Sequence, residues 1–269
     1  MDHFAGNAHS WGLIVNSFDE MEGEYSEVFK NKLFRHDRIW NVGPLLPMKK
    51  NEDGLNPKLV HEVITWLDFC TDDKSVVYVG FGTQITLSSK QMEALASALE
   101  MSRVRFIWSI KEPMKGVQVE EDQNVVPTGF EDRVAGRGII ARGWVPQVEI
   151  LGHRAIGAYL THCGWNSALE GICAGVLLLA WPMQADHFYN TRMLVDNLGA
   201  AIRVCEGLGI VPDATKVARV LAESVNGTRP ERARVMELKT KALGAIKEGG
   251  SSYRALDNVV NELSNLNSK

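Results

Sequence analysis

Ile156-Gly157-Ala158-Tyr159-Leu160-Thr161-His162-Cys163-Gly164-Trp165-Asn166-Ser167-Ala168-Leu169-Glu170-Gly171-Ile172-Cys173-Ala174-Gly175 reads as a strand, a turn and a helix. The apolar run Ile156 to Thr161 predicts a buried strand, and Asn166 to Ala174 a short helix that Gly175 ends. Between them, the backbone N–H groups of a helix N-terminus face outward beside Asn166 and Ser167. Such a terminus favours phosphate. On either side stand Trp144-Val145-Pro146-Gln147 and Pro182-Met183-Gln184-Ala185-Asp186-His187. Indole, amide, imidazole and two carboxylates, Glu170 and Asp186, are thus set along strand-to-helix turns, equipment suited to a nucleotide joined to a sugar.

Working outward, the same alternation recurs. Ser75–Val79, Arg105–Ile110, Gly138–Ala141 and Val176–Ala180 read as further apolar strands, and Ser88 with Gln91 has the spacing of a capping box before Met92, Leu95, Ala96 and Leu99. Strands this apolar, separated by helices, predict an α/β fold with a parallel sheet covered on both faces and ligands at the strands' carboxyl ends. Upstream, Gly12–Phe18 reads as a strand, Glu20–Lys32 as a helix, and Ile39–Pro47 as a strand running into a proline-stopped turn. Lys49-Lys50-Asn51-Glu52-Asp53-Gly54 is the linker candidate. Downstream, helices are expected over Asn190–Leu198, Asp213–Ser224, Arg229–Lys247 and Ser252–Leu263. The expected divisions are therefore residues 1–47, a linker over 48–74, a main domain over 75–250 and a closing helix over 251–269.

Composition bounds the rest. With 269 residues, 45% hydrophobic, the chain can bury one good core and part of a second. A net charge of −4 gives no electrostatic case for nucleic acid or an anionic membrane. Four cysteines without C-x-x-C spacing and seven histidines without H-x-x-x-H pairing predict no zinc site and a reduced, cytoplasmic protein. The opening Met1-Asp2-His3-Phe4-Ala5-Gly6 shows no basic region followed by an apolar core, and no apolar run approaches the ~20 residues a spanning helix needs, so neither secretion nor membrane anchoring is expected.

From Trp144 to His187 the motif runs 44 positions. In residues and spacing it closely resembles the donor-binding signature of plant family 1 UDP-dependent glycosyltransferases, which attach a sugar from a UDP-sugar to small metabolites. The resemblance implies a GT-B type fold, no metal, a UDP-sugar co-substrate and a small phenolic acceptor. It places Trp144 on the uracil face and the Val145 backbone on the uracil edge, with Gln147 and Glu170 on the ribose hydroxyls. His162, Asn166, Ser167 and Thr83 fall on the diphosphate, the Trp165 backbone near the sugar, and Asp186 with His187 on the sugar hydroxyls. His187 stands where glucose-using relatives carry Gln, and Ala180–Phe188 looks especially like flavonol 7-O-rhamnosyltransferases. An imidazole has fewer hydrogen-bonding sites than an amide, so it should fit a different hydroxyl configuration.

The resemblance covers the second half of such a chain. It implies two Rossmann-like domains, of which 1–47 is the tail end of the first, so the general base, a His early in that domain, and its Asp partner have no matching position. His3 and His9 follow no buried strand and are no substitutes. The expectation is donor recognition without acceptor activation, and a chain inactive by itself. A non-catalytic UDP-sugar-binding product is the alternative, and a sugar-nucleotide epimerase a third reading.

Several residues have plainer readings. Gly80-Phe81-Gly82-Thr83-Gln84-Ile85 fails as a dinucleotide fingerprint because Ile85 holds the third glycine position. Trp40, Trp66, Trp108 and Trp181 read as core, Cys163 as a small buried hydrophobe, and the acidic run Asp19, Glu20, Glu22, Glu24, Glu27 as a solvated helix face.

Overall fold

A computed structural model describes residues 10–34, 36–46, 56–110 and 124–266. The linker candidate Lys49–Gly54 and the early histidines His3 and His9 lie outside the described residues. In chain order the elements are β1 (Leu13–Val15), α1 (Asp19–Val28, continued by a π-helical turn, Phe29–Phe34), β2 (Ile39–Asn41), α2 (Pro57–Asp68) and β3 (Val76–Gly80). There follow α3 (Ser89–Ser102), β4 (Arg105–Ile110), α4 (Phe130–Arg133), β5 (Gly138–Arg142), α5 (Gln147–Gly152), β6 (Ile156–Thr161) and α6 (Trp165–Ala174). The last are β7 (Leu177–Ala180), α7 (His187–Arg192, continued by a π-helical turn, Met193–Asn197), β8 (Ala201–Arg203), α8 (Ala214–Val225), α9 (Pro230–Ala245) and α10 (Ser251–Leu266).

Two compact units divide the chain, Met48–Met236 and Met1–Pro47 with Glu237–Lys269. The larger unit is a six-stranded, all-parallel sheet in the order β5-β4-β3-β6-β7-β8. Chain order reverses direction between β3 and β6, which makes their shared carboxyl end the switch point where a crevice opens. Alternation along the strands sorts the side chains. Val77, Val79, Phe106, Trp108, Ala158, Leu160, Leu177 and Leu179 enter one apolar cluster with Met92, Leu95 and Leu99 of α3 and Val217 and Leu221 of α8. Each large aliphatic side chain fully buried there contributes about 1.5–3 kcal/mol. The intervening residues face the other side, where Gly171 of α6 lies against Leu178 and Tyr159.

The helices end where local chemistry stops them. Ser88 and Gln91 form the expected capping box at α3, Asp213 accepts from the Thr215 and Lys216 amides at α8, and Gly175 closes α6 with a φ of 73°. Residues 48–74, read from sequence as linker, contain α2, where Asn56 caps Lys58 and Leu59 and Pro57 occupies the first turn. The helix expected over Asn190–Leu198 instead begins at His187 and widens after Arg192. The edge strand β8 and the short helices α4 and α5 also lay outside the sequence reading.

In the smaller unit, β1 and β2 pair in parallel and α10 packs on β2 and α1. Trp40, Val42, Ala255 and Val259 form its apolar cluster. Ser252 donates to the Gly43 carbonyl, and Ser251 to Glu20 at 2.8 Å. The acidic face of α1 is only partly solvated. Asp19 accepts from Asn41 at 2.8 Å and Glu22 from Ser17, with burial pushing the Glu22 carboxyl above its ordinary range. Among the described residues no helix is long and apolar enough to cross a membrane.

Candidate functional site

Four loops leave the carboxyl ends of β3, β5, β6 and β7, and between them carry all eleven residues singled out by sequence except Gln147, Trp165, Asn166, Ser167, Glu170 and His187, which open or line the helices that follow. Thr83 is exposed on the loop after β3. Trp144 follows β5 and is 40% exposed, a large indole left at the rim, while Val145 beside it is buried. Pro146 then leads into α5, whose first residue is Gln147.

At the switch point the turn after β6 is tied down by its own backbone and its neighbours. Thr161 Oγ1 accepts from the Cys163 amide at 3.1 Å, and the Thr161 carbonyl accepts from the Trp181 amide at 2.9 Å. Cys163 takes a φ of 61°, a left-handed backbone rare for a side-chain-bearing residue. That twist starts α6 at Trp165. Its N-cap, Gly164, supplies no side-chain cap, and the first turn of α6 carries the exposed Asn166 and the buried Ser167.

His162 stands on this turn, buried, and packs edge to face on His187 with ring centroids 4.6 Å apart. On its other side lies Gly82, whose φ is 73° and where an added Cβ would fall 2.6 Å from the imidazole Cε1. The β3 and β6 loops therefore close on each other through one ring. His187 Nδ1 accepts from the Gln184 amide at 3.3 Å, leaving Nε2 to carry the proton of the neutral ring. Burial holds the His187 pKa below its ordinary value, and the Asp186 carboxylate, 4.0 Å away, pulls weakly the other way.

Two hydrogen-bonded groups assemble the remaining residues. Gln147 donates to Glu170 at 2.5 Å and to Ser167 at 3.4 Å, and accepts from the hydroxyls of Tyr78 and Tyr159. Asn190 donates to Asp186 and to the Cys163 carbonyl, each at 2.9 Å, and so latches the Asp186 carboxylate to the turn after β6. Trp144 takes part in neither group. Tyr78, Tyr159 and Asn190 escaped the sequence reading, the tyrosines because each looks like ordinary strand core, and Asn190 because it looks like a helix start. Burial pushes the Cys163 thiol up to about 12, so the cysteine beside His162 is no thiolate.

The arrangement offers a flat ring, a carboxylate–amide pair, a row of neutral donors and a second polar cluster along one rim. The sequence profile described as UDP-glucoronosyl and UDP-glucosyl transferase matches residues 30–221. Flavonol 7-O-rhamnosyltransferase of Arabidopsis thaliana is 54% identical over 261 residues, covering 94% of this chain and 60% of that protein. Flavonol 3-O-glucosyltransferase UGT89B1 of the same plant is 48% identical over 266 residues, covering 98% and 55%. The crystal structure of Arabidopsis thaliana UGT89C1 complexed with UDP-L-rhamnose superposes with a TM-score of 0.86 at 52% identity, over 95% of this chain and 59% of that one. The fold is α/β of the GT-B type, and the chain spans a little over half the length of these relatives.

Proposed function

Because the chain belongs to the UDP-glucoronosyl and UDP-glucosyl transferase family, we propose that it supplies the donor site of a plant UDP-glycosyltransferase acting on a small phenolic such as a flavonol. The observation that carries this is the convergence of Trp144, Glu170 with Gln147, the α6 N-terminus and His162 on the carboxyl ends of neighbouring parallel strands. Trp144 presents a π-face to the uracil and Val145 its backbone to the uracil edge. Glu170, with Gln147 bonded to it, meets the ribose hydroxyls. His162, Asn166, Ser167 and Thr83 surround the diphosphate, the Trp165 backbone lies near the sugar, and Asp186 with His187 reads the sugar hydroxyls.

In the reaction proposed, the acceptor oxygen bonds to the anomeric carbon as the bond to the diphosphate oxygen breaks, with inversion, and a base takes the acceptor proton. Charge growing on the departing diphosphate is met by the α6 amides and His162. The residues gathered here are assigned to the donor, so donor binding is proposed for this chain and turnover for the whole protein. The relative named flavonol 7-O-rhamnosyltransferase supports UDP-rhamnose as the donor, together with His187.

Calorimetric titration with UDP, ADP and UDP-rhamnose tests the reading. UDP should bind well ahead of ADP. Equal affinity for the two nucleotides would remove the uracil site.

A further inference from the structure

Tyr78 on β3 and Tyr159 on β6 are register partners on adjacent parallel strands, with ring centroids 5.1 Å apart. Strand alternation turns both toward the face that α6 covers, and both rings are wholly buried. A phenol at that depth carries one O–H that must find a partner. Both reach the same atom, although Ser109 also lies within hydrogen-bonding reach of Tyr78, and Ser167 and Thr161 of Tyr159. Gln147 Oε1 accepts from Tyr78 at 3.3 Å and from Tyr159 at 3.1 Å, which uses both lone pairs of a carboxamide oxygen. The NH2 edge is thereby turned outward, where it meets Glu170 Oε2 at 2.5 Å and Ser167 Oγ at 3.4 Å.

The network has one polarity throughout. An ionised carboxylate only accepts, so it requires the NH2 edge; the amide oxygen then faces the tyrosines, which must donate. Burial raises both phenols above their ordinary range and keeps those protons in place. Phenylalanine would fill the same core volume. What the two hydroxyls add to that volume is a pair of hydrogen bonds to Gln147 Oε1.

We propose that Tyr78 and Tyr159 are positioning residues of the donor site: their paired hydroxyls lock the Gln147 carboxamide in the orientation that holds the Glu170 carboxylate where the ribose diol is read. Without them the amide can turn over and set its oxygen against the carboxylate, which then swings away. This rests on the reading of Glu170 as the ribose ligand.

The test is calorimetric titration of the full chain and its Y78F/Y159F variant with UDP and with 2′,3′-dideoxy-UDP. The unaltered chain should prefer UDP. The variant should lose about 10-fold in UDP affinity, the scale of a hydrogen bond to a charged group, and keep its affinity for the dideoxy nucleotide. In a Glu170→Ala background the same pair of substitutions should change neither value. If the double variant does not fold, each single Phe variant reports the same ratio. An unchanged preference for UDP, or equal losses for both nucleotides, would overturn the proposal while leaving Glu170 in place. Absence of any preference in the unaltered chain would instead overturn the ribose assignment, and this proposal with it.

Discussion

His162 and His187 meet edge to face, their ring planes 87° apart, so the residue assigned to the diphosphate and the one assigned to the sugar share a wall. His187 cannot move without exposing an edge of His162. Its Nδ1 is engaged by the Gln184 amide, which leaves a single Nε2–H to address a ligand. A glutamine there would offer a donor and an acceptor together. His187→Gln should shift relative affinity from UDP-rhamnose toward UDP-glucose by about 10-fold, one or two hydrogen bonds' worth. Competition titrations of the two sugar nucleotides read this directly; an unchanged ratio would take His187 out of sugar selection.

The same ring sets a pH dependence. Burial depresses the His187 pKa, so the folded chain holds fewer protons than the unfolded one in the window below the ordinary value of 6.5. The resulting contribution to stability is full above that pH and is lost as pH falls through the depressed value. Urea unfolding at pH 7.5 and 5.5 should therefore show a smaller drop for His187→Gln than for the parent chain. Equal drops would mean that the imidazole charges in place at no cost.

Gly82 is where the β3 loop touches the His162 imidazole. A methyl group there would fall 2.6 Å from His162 Cε1, on a backbone whose φ of 73° already disfavours a side chain. Gly82→Ala should displace His162 and weaken UDP binding about 10-fold, from strain of 1–2 kcal/mol, with little effect on uridine, which lacks the diphosphate. Parallel titration with the two ligands checks it. Equal losses would point to general disruption of the loop.

How much of this was legible in the sequence follows from range. β3, β4, β6 and β7 were readable because strands buried on both faces are continuous apolar runs, and α6 because its turn and its closing glycine are adjacent in the chain. α2 was not, since its Asn56-Pro57 start abuts the polar Lys49–Gly54 stretch and was absorbed into a linker. β8 is three residues at a sheet edge, too short to leave a periodic trace. Site residues carried by one contiguous motif could be named singly, but their couplings could not. Tyr78 and Gln147 are 69 positions apart, and only the packing of α5 beside the carboxyl end of the sheet brings them together.

Trp144 is exposed enough to accept a base on one face while Val145 anchors the loop beneath it. Removing the indole should cost UDP binding ~1–3 kcal/mol, the scale of one base–aromatic stack. Trp144→Phe should recover most of the loss. Calorimetry giving the Ala variant the parent's affinity would place the uracil elsewhere.

Cys163 lies beside the proposed phosphate site, and its chemistry can be separated from its packing. Burial raises its thiol to about 12, with a hydrogen bond to Thr191 offsetting only part of the effect, so at pH 8 almost none is thiolate. Cys70 and Cys173 are also buried, whereas Cys205 is partly exposed. Brief iodoacetamide treatment of the native chain, followed by peptide mass spectrometry, should label Cys205 first and leave Cys163 unmodified until the chain is denatured. The left-handed backbone at Cys163, with its φ of 61°, then explains the residue as a small side chain tolerated at a strained turn. Fast labelling of Cys163 that UDP suppresses would contradict this, because it would require an accessible thiolate inside the donor site.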